Sequence, residues 1–388
     1  MKYNKFFRKM SFIICIMLLF FNSQIFSIAK EFDVNAKSAI LIDADSGKII
    51  FEKNSHEKLP PASVTKIMTM LLAMEALETK KISLQDKVVI SERAASMGGS
   101  QLYLEPGEEK TVEQLLKGIA VASANDACVA LGEYIAGSEE LFVKKMNEKA
   151  KELGMKDTQF KNTNGLPEEG HYTSAYDIAV MSRELLKYPQ IHKWLTIWMS
   201  TMKVGKRKQS TLELTNTNRL IRTYSGANGI KTGFTQEARY CLSASATRNN
   251  LTLIAVILGA PTSKIRFQEA KKLLDYGFAN YNSVLIAKKG EIIDKVCVEK
   301  GKVDKINVIA KEGLKVLVKK GEEDSVKKEV ILPKMIKASI QKNEKVGEII
   351  VYDSNGKEIG KVDLVAQRAV DKASMLNMLG KILKNVPK

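Results

Sequence analysis

The segment Leu59-Pro60-Pro61-Ala62-Ser63-Val64-Thr65-Lys66-Ile67-Met68-Thr69 decides how the rest of the chain is read. Its proline pair, followed by the apolar Ile67, Met68, Leu71, Leu72 and Met74, predicts a helix opened by Pro60-Pro61 and running to about Glu78. In such a helix Ser63 and Lys66 share a face, so the lysine amine can approach the serine hydroxyl. The positive end of the helix dipole favours negative charge developing beside that serine. A free hydroxyl is a poor nucleophile; a lysine made neutral by burial or by a nearby cation can take its proton. The spacing says little by itself, because six further Ser-x-x-Lys matches begin at Ser27, Ser55, Ser200, Ser325, Ser339 and Ser354.

Upstream, Ser38 to Asn54 reads as a hairpin: Ile40, Ile42, Ile49 and Phe51 flank the turn Asp45-Ser46-Gly47. Downstream, residues 86–200 read as mostly helical with glycine-containing loops. Tyr240–Thr247 and Leu251–Leu258 form a second hairpin, and Ile265–Tyr276 an amphipathic helix. Strands at both ends with helices between predict an α+β domain over residues 30–283. From 284 to 365, short alternations such as Ile306–Ile309, Lys315–Val318 and Ile349–Tyr352 between Gly- and Lys-rich turns predict a small all-β domain. Residues 366–388 predict a C-terminal amphipathic helix: Met375, Leu376, Leu379, Ile382, Leu383 and Val386 on one side, and Lys372, Lys381, Lys384 and Lys388 on the other. Such a helix suits an anionic membrane surface.

The first 29 residues have the layout of a cleaved secretory signal. Lys2, Lys5, Arg8 and Lys9 precede an apolar run from Phe12 to Phe21, too short to span a bilayer, and Ser27-Ile28-Ala29 follows. The 388 residues, 45% hydrophobic and 27% charged, have the composition of a globular protein of about two domains. The net charge of +17 points to an anionic partner, but export turns that reading away from nucleic acid and toward phospholipid headgroups and wall polymers. Four cysteines without close pairs exclude a disulfide-dense scaffold and a Cys-rich zinc site. Cys128 and Cys241 lie in apolar contexts and read as small core residues. Three scattered histidines argue against a His-based metal centre or a Ser-His-Asp triad, and no cofactor is expected.

What singles out Ser63 is the order of its companions. Ser123-Ala124-Asn125 is the only Ser-x-Asn in the chain, and Lys231-Thr232-Gly233 the only Lys-Thr-Gly. Serine with lysine, then Ser-x-Asn, then Lys-Thr-Gly is the signature set of penicillin-binding proteins and serine β-lactamases. The active-serine segment itself resembles that of serine D-alanyl-D-alanine carboxypeptidases, the low-molecular-mass penicillin-binding proteins. The turn Asp43-Ala44-Asp45-Ser46-Gly47, the run Asn164-Gly165-Leu166 and the segment Asn228–Thr235 are similar to that family too.

The resemblance implies a penicillin-binding, β-lactamase-like catalytic domain, an antiparallel sheet with a helical subdomain. Ser63 would attack the carbonyl between the last two D-alanines of a peptidoglycan pentapeptide stem, with Lys66 as general base. Ser123 would relay a proton to the departing amine, and Asn125 would hold Lys66 and the substrate amide. Lys231, on a strand edge, and Thr232 would meet the terminal carboxylate. The N–H groups of Ser63 and Phe234 would form an oxyanion hole, worth about 3–4 kcal/mol per donor in other hydrolases. Arg266 falls where the family tends to place an arginine near the carboxylate site, although a surface arginine on a helix fits the sequence as well. β-Lactam antibiotics would be covalent inhibitors.

Two departures bear on the competing reading as a β-lactamase. The second motif is Ser-Ala-Asn rather than Ser-Asp-Asn, and no Glu-x-x-Leu-Asn segment lies between Ser123 and Lys231 to supply a deacylating glutamate. Glu168 and Glu169 read as a solvated turn. Both departures, with the extra β domain, favour a carboxypeptidase that holds penicillin as a long-lived adduct. A non-catalytic wall-binding protein on the same fold would show a broken constellation, whereas every motif residue is present here.

Overall fold

A computed structural model describes residues 32–206 and 209–375. The first hairpin forms as expected, β1 (Ser38–Asp43) pairing with β2 (Ile49–Lys53). Helix α1 (Lys66–Glu78) follows, then α2 (Asn125–Ala136), α3 (Glu139–Glu152) and α4 (Ala175–Leu186). Two short strand pairs, 87–89 with 109–111 and 199–204 with 210–215, interrupt the largely helical region. Strands β3 (Ala227–Thr235), β4 (Arg239–Arg248) and β5 (Leu251–Ala260) then complete an antiparallel five-stranded sheet in the order β2-β1-β5-β4-β3. Helix α5 (Ser263–Asn280) starts at Thr262, whose side chain accepts the Ile265 N–H, and ends at the next strand.

The strands in the middle of the sheet are more thoroughly buried than the alternation at Ile40 and Ile42 suggested. Every residue of β1 is buried, and β5 is nearly so, because α4 and α5 both pack on these strands. A central strand with both faces covered carries a continuous apolar run rather than an alternating one. Helix α1 is likewise apolar nearly all round, since it is wrapped by α2, α3 and α4. Cys128 and Cys241 lie in this core, as their context indicated.

The β-rich region comprises β6 (Tyr281–Ala287), β7 (Ile292–Glu299), β8 (Lys305–Ala310), β9 (Leu314–Lys319), β10 (Lys327–Ile331), β11 (Met335–Lys337), β12 (Lys345–Tyr352) and β13 (Glu358–Ala366). Six of these form one sheet in the order β10-β12-β13-β8-β7-β11, and β6 pairs separately with β9. Its core, with Val308, Val316, Ile349 and Leu364 at the centre, is separate from that of the preceding region.

Two expectations are corrected. The helix does not begin at the proline pair: residues 62–65 make a 3-10 turn entered through a left-handed Ala62 (φ +50), and the α-helix begins at Lys66. Residues 366–374 do not belong to an amphipathic helix. Val370 bridges Ile340, Lys372 bridges Gly301, and Ala366 and Val370 are buried with Val298, Ile306 and Ile340, so apolar contact holds this stretch to the β-rich region. The expected signal segment, residues 1–29, and residues 376–388 of the expected helix lie outside the described residues. Among those described, no helix is long and apolar enough to cross a membrane.

Candidate active site

Ser63 in the 3-10 turn and Lys66 at the start of α1 are three residues apart, and their side chains meet on one face. Ser63 stays partly exposed while Lys66 is fully buried. Lys66 Nζ lies 2.9 Å from Ser63 Oγ, 2.7 Å from Asn125 Oδ1 and 2.6 Å from the Asn164 backbone oxygen. The last two atoms are pure acceptors. A neutral amine has two N–H bonds to give them and one lone pair left over, and the third direction is that of the serine hydroxyl. Burial drives the amine toward this neutral form, lowering its pKa to about 8.

Ser123 closes the π-helical turn Gly118–Ala122 in a left-handed conformation (φ +61). For a residue with a side chain this costs about 1–2 kcal/mol, a strain that Ala62 beside Ser63 carries as well. Two residues on, Asn125 spans the site: its Oδ1 accepts from Lys66, and its Nδ2 donates to Gly98 O at 2.6 Å. Asp126 fixes the facing segment, its buried carboxylate accepting the N–H groups of Leu102 and Leu104.

Strand β3, an edge strand of the sheet, brings the third motif to the serine turn. A Cβ on Gly233 would stand 3.0 Å from Ser63 N and 3.1 Å from Pro61 O, so glycine lets the strand lie against the turn. Lys231 is only 1% exposed. Burial and the positive charge of Lys66 hold its pKa well below the ordinary lysine value, and its Nζ donates to Thr232 O at 3.1 Å. Thr232 Oγ1 donates to Thr217 Oγ1 at 2.6 Å. The Phe234 side chain is 52% exposed and packs on Tyr240, with ring centroids 4.4 Å apart.

Arg266 is no surface residue, being 6% exposed. Its Nη1 donates to Gly233 O and Cys241 O, both at 3.1 Å, and Nη2 to Ser263 Oγ at 3.3 Å. It clamps the backbones of β3 and β4 beside the Lys-Thr-Gly segment.

Several supporting residues to which the sequence assigned no role act through the backbone or across the fold. Asn162 Oδ1 accepts the N–H of Gly165 at 2.7 Å, shaping the loop that presents the Asn164 carbonyl to Lys66. Behind it, His171 Nε2 is 3.0 Å from Thr65 Oγ1 and Thr69 donates to Thr163 O at 2.5 Å. Glu168 and Glu169 are exposed, as expected, and Glu168 accepts from Asn162 Nδ2 at 3.0 Å.

A family model described as D-alanyl-D-alanine carboxypeptidase matches residues 25–262, most of the chain. The chain belongs to this family. Residues 281–372 match the C-terminal domain of penicillin-binding protein 5, so the family's catalytic domain is followed here by that all-β domain. The D-alanyl-D-alanine carboxypeptidase DacF of Bacillus subtilis is 48% identical over 95% of both chains. DacC of Escherichia coli is 36% identical over 87% of this chain and 85% of its own. The crystal structure of penicillin-binding protein 5 from Haemophilus influenzae superposes with a TM-score of 0.72 at 32% identity, covering 88% of this chain and 98% of that one. The carboxypeptidase is thus a serine hydrolase of the penicillin-binding class.

Proposed function

We propose that this carboxypeptidase removes the terminal D-alanine from peptidoglycan stem peptides through an acyl-enzyme on Ser63. The observation that supports it most is the Lys66 amine, buried, bound to two carbonyl acceptors and facing the Ser63 hydroxyl. In this reading Lys66 takes the Ser63 proton as Oγ attacks the penultimate carbonyl. Ser123, whose hydroxyl makes no hydrogen bond to a described residue, relays that proton from Lys66 to the leaving D-alanine amine, and water then hydrolyses the acyl-enzyme to free Ser63. Asn125 orients Lys66 and the substrate amide, and Lys231 and Thr232 receive the terminal carboxylate. The N–H groups of Ser63 and Phe234 stabilise the oxyanion. Arg266 positions the edge strand through the Gly233 carbonyl rather than meeting substrate itself.

Slow release of penicillin is supported by the exposure of Glu168 and Glu169, with Glu168 engaged by Asn162. We read residues 30–283 as the catalytic part and 284–365 as the β-rich part, with the change from helix-covered sheet to all-β pairing falling at β6. The enzyme is exported through residues 1–29 and associates peripherally with the outer face of the membrane through its C-terminal residues. Release of D-alanine from a synthetic peptide ending in two D-alanines tests the activity, and labelled penicillin tests the nucleophile. Wild-type protein should release D-alanine and take up the label stoichiometrically, and Ser63→Ala should do neither. Label retained in that variant would overturn the assignment.

A further inference from the structure

On another part of the molecule, the turn between β1 and β2 faces the β-rich region across a cleft of about 600 Å³. That size lies within the range of about 300–1,000 Å³ usual for small-molecule sites. Five cationic side chains line it, Arg183, Lys288, Lys289, Lys315 and Lys361, against one carboxylate, Asp45. They come from distant segments: Arg183 from α4, Lys288 and Lys289 from the turn after β6, Lys315 from β9 and Lys361 from β13. Only the fold brings them together.

Arg183 is held in place, its Nε donating to Ala44 O at 2.8 Å and its Nη2 to Asp45 O at 2.6 Å. Lys315 pairs with Asp45 at 3.1 Å and Lys289 with Glu312 at 3.0 Å. No carboxylate among the described residues forms an ion pair with Lys288 or Lys361, so an excess of positive charge is left in the cleft. Buried Ala287 and Leu314 supply part of an apolar wall. A cleft with charge of one sign and low-dielectric walls concentrates its field on an incoming counter-ion. Arginine and lysine together suit phosphate oxygens, and the surplus exceeds what a single carboxylate would neutralise.

We infer that this cleft between the first hairpin turn and the β-rich region is a binding site for an anion carrying two or more phosphate or phosphodiester groups, separate from the Ser63 site. The same chemistry is offered by a soluble or polymeric phosphate and by a lipid headgroup. Full-length protein is titrated calorimetrically with inorganic tripolyphosphate, as wild type and as the double variant Lys288→Glu/Lys361→Glu. Wild type should bind, more weakly as salt is raised, and the double variant should bind at least tenfold more weakly. Both should acylate with labelled penicillin at the same rate, which shows that the variant is folded. Co-sedimentation with phosphatidylglycerol vesicles, against phosphatidylcholine vesicles, separates the sources. Loss of both tripolyphosphate and vesicle binding in the variant assigns the site to a headgroup; loss of tripolyphosphate binding alone assigns it to a non-lipid phosphate. No binding by wild type, or equal tripolyphosphate binding by the two proteins, overturns the inference.

Discussion

Lys66 Nζ is 2.6 Å from the backbone oxygen of Asn164, and the glycine that follows that carbonyl is what allows the loop to reach it. Gly165 has φ +89, and a Cβ there would sit 1.8 Å from Ala62 O, on the turn that carries Ser63. The loop and the serine turn are thus in backbone contact, and the lysine amine is held between them.

Gly165→Ala should therefore damage stability and chemistry together. The left-handed backbone alone costs an L-residue about 1–2 kcal/mol, and relief of the clash must move either the loop or the turn. We expect a fall in Tm of roughly 5 °C or more, with slower penicillin acylation. Thermal unfolding beside acylation kinetics measures both, and an unchanged acylation rate would show that the loop does not hold Lys66.

Lys66 can act as a base only when neutral, and burial brings its pKa to about 8. Acylation of Ser63 should rise about tenfold per pH unit below that value and level off above it. Lys66→Arg stays charged at every working pH and should slow acylation by about 100- to 10,000-fold. A wild-type profile flat from about pH 6 to 9 would mean that another group takes the proton.

His171 is buried against Thr65, and burial, aided by the Lys161 charge, lowers its pKa from 6.5 to about 4. Above pH 6.5 the folded and unfolded imidazoles are both neutral. Between 6.5 and about 4 only the unfolded chain gains the proton, so stability falls as pH falls and the effect is complete below that window. The loss should reach about 2 kcal/mol by about pH 5. His171→Gln should show a shallower pH dependence in urea unfolding; parallel curves for the two proteins would exclude this role.

Arg266→Met leaves the Gly233 and Cys241 carbonyls without their shared donor. At about 1–3 kcal/mol for an unsatisfied buried group, the variant should be measurably less stable and acylate more slowly, with partial recovery in Arg266→Lys. A variant as stable as wild type, with only KM for the peptide raised, would instead place the guanidinium on the substrate.

The order of Ser63 with Lys66, Ser123 with Asn125, and Lys231 with Thr232 and Gly233 was legible in the chain, because the proposed chemistry calls for those side-chain types and a motif search finds them by type. So were the two hairpins and the β texture after residue 284, which follow from periodicity and turn residues. The left-handed Ala62 was not, because the proline pair that opens a helix is equally compatible with a 3-10 turn. Nor was the fate of residues 366–374, whose Ala366 and Val370 read as part of a helix until burial against Ile306 and Ile340 claimed them. Local sequence thus determined which functional groups this enzyme carries and in what order. Tertiary structure alone decided the depth at which Lys66 is buried, the carbonyl of Asn164 that it meets and the strand that Arg266 clamps. Those depend on desolvation and on backbone atoms, which every residue possesses and whose partners no local pattern specifies.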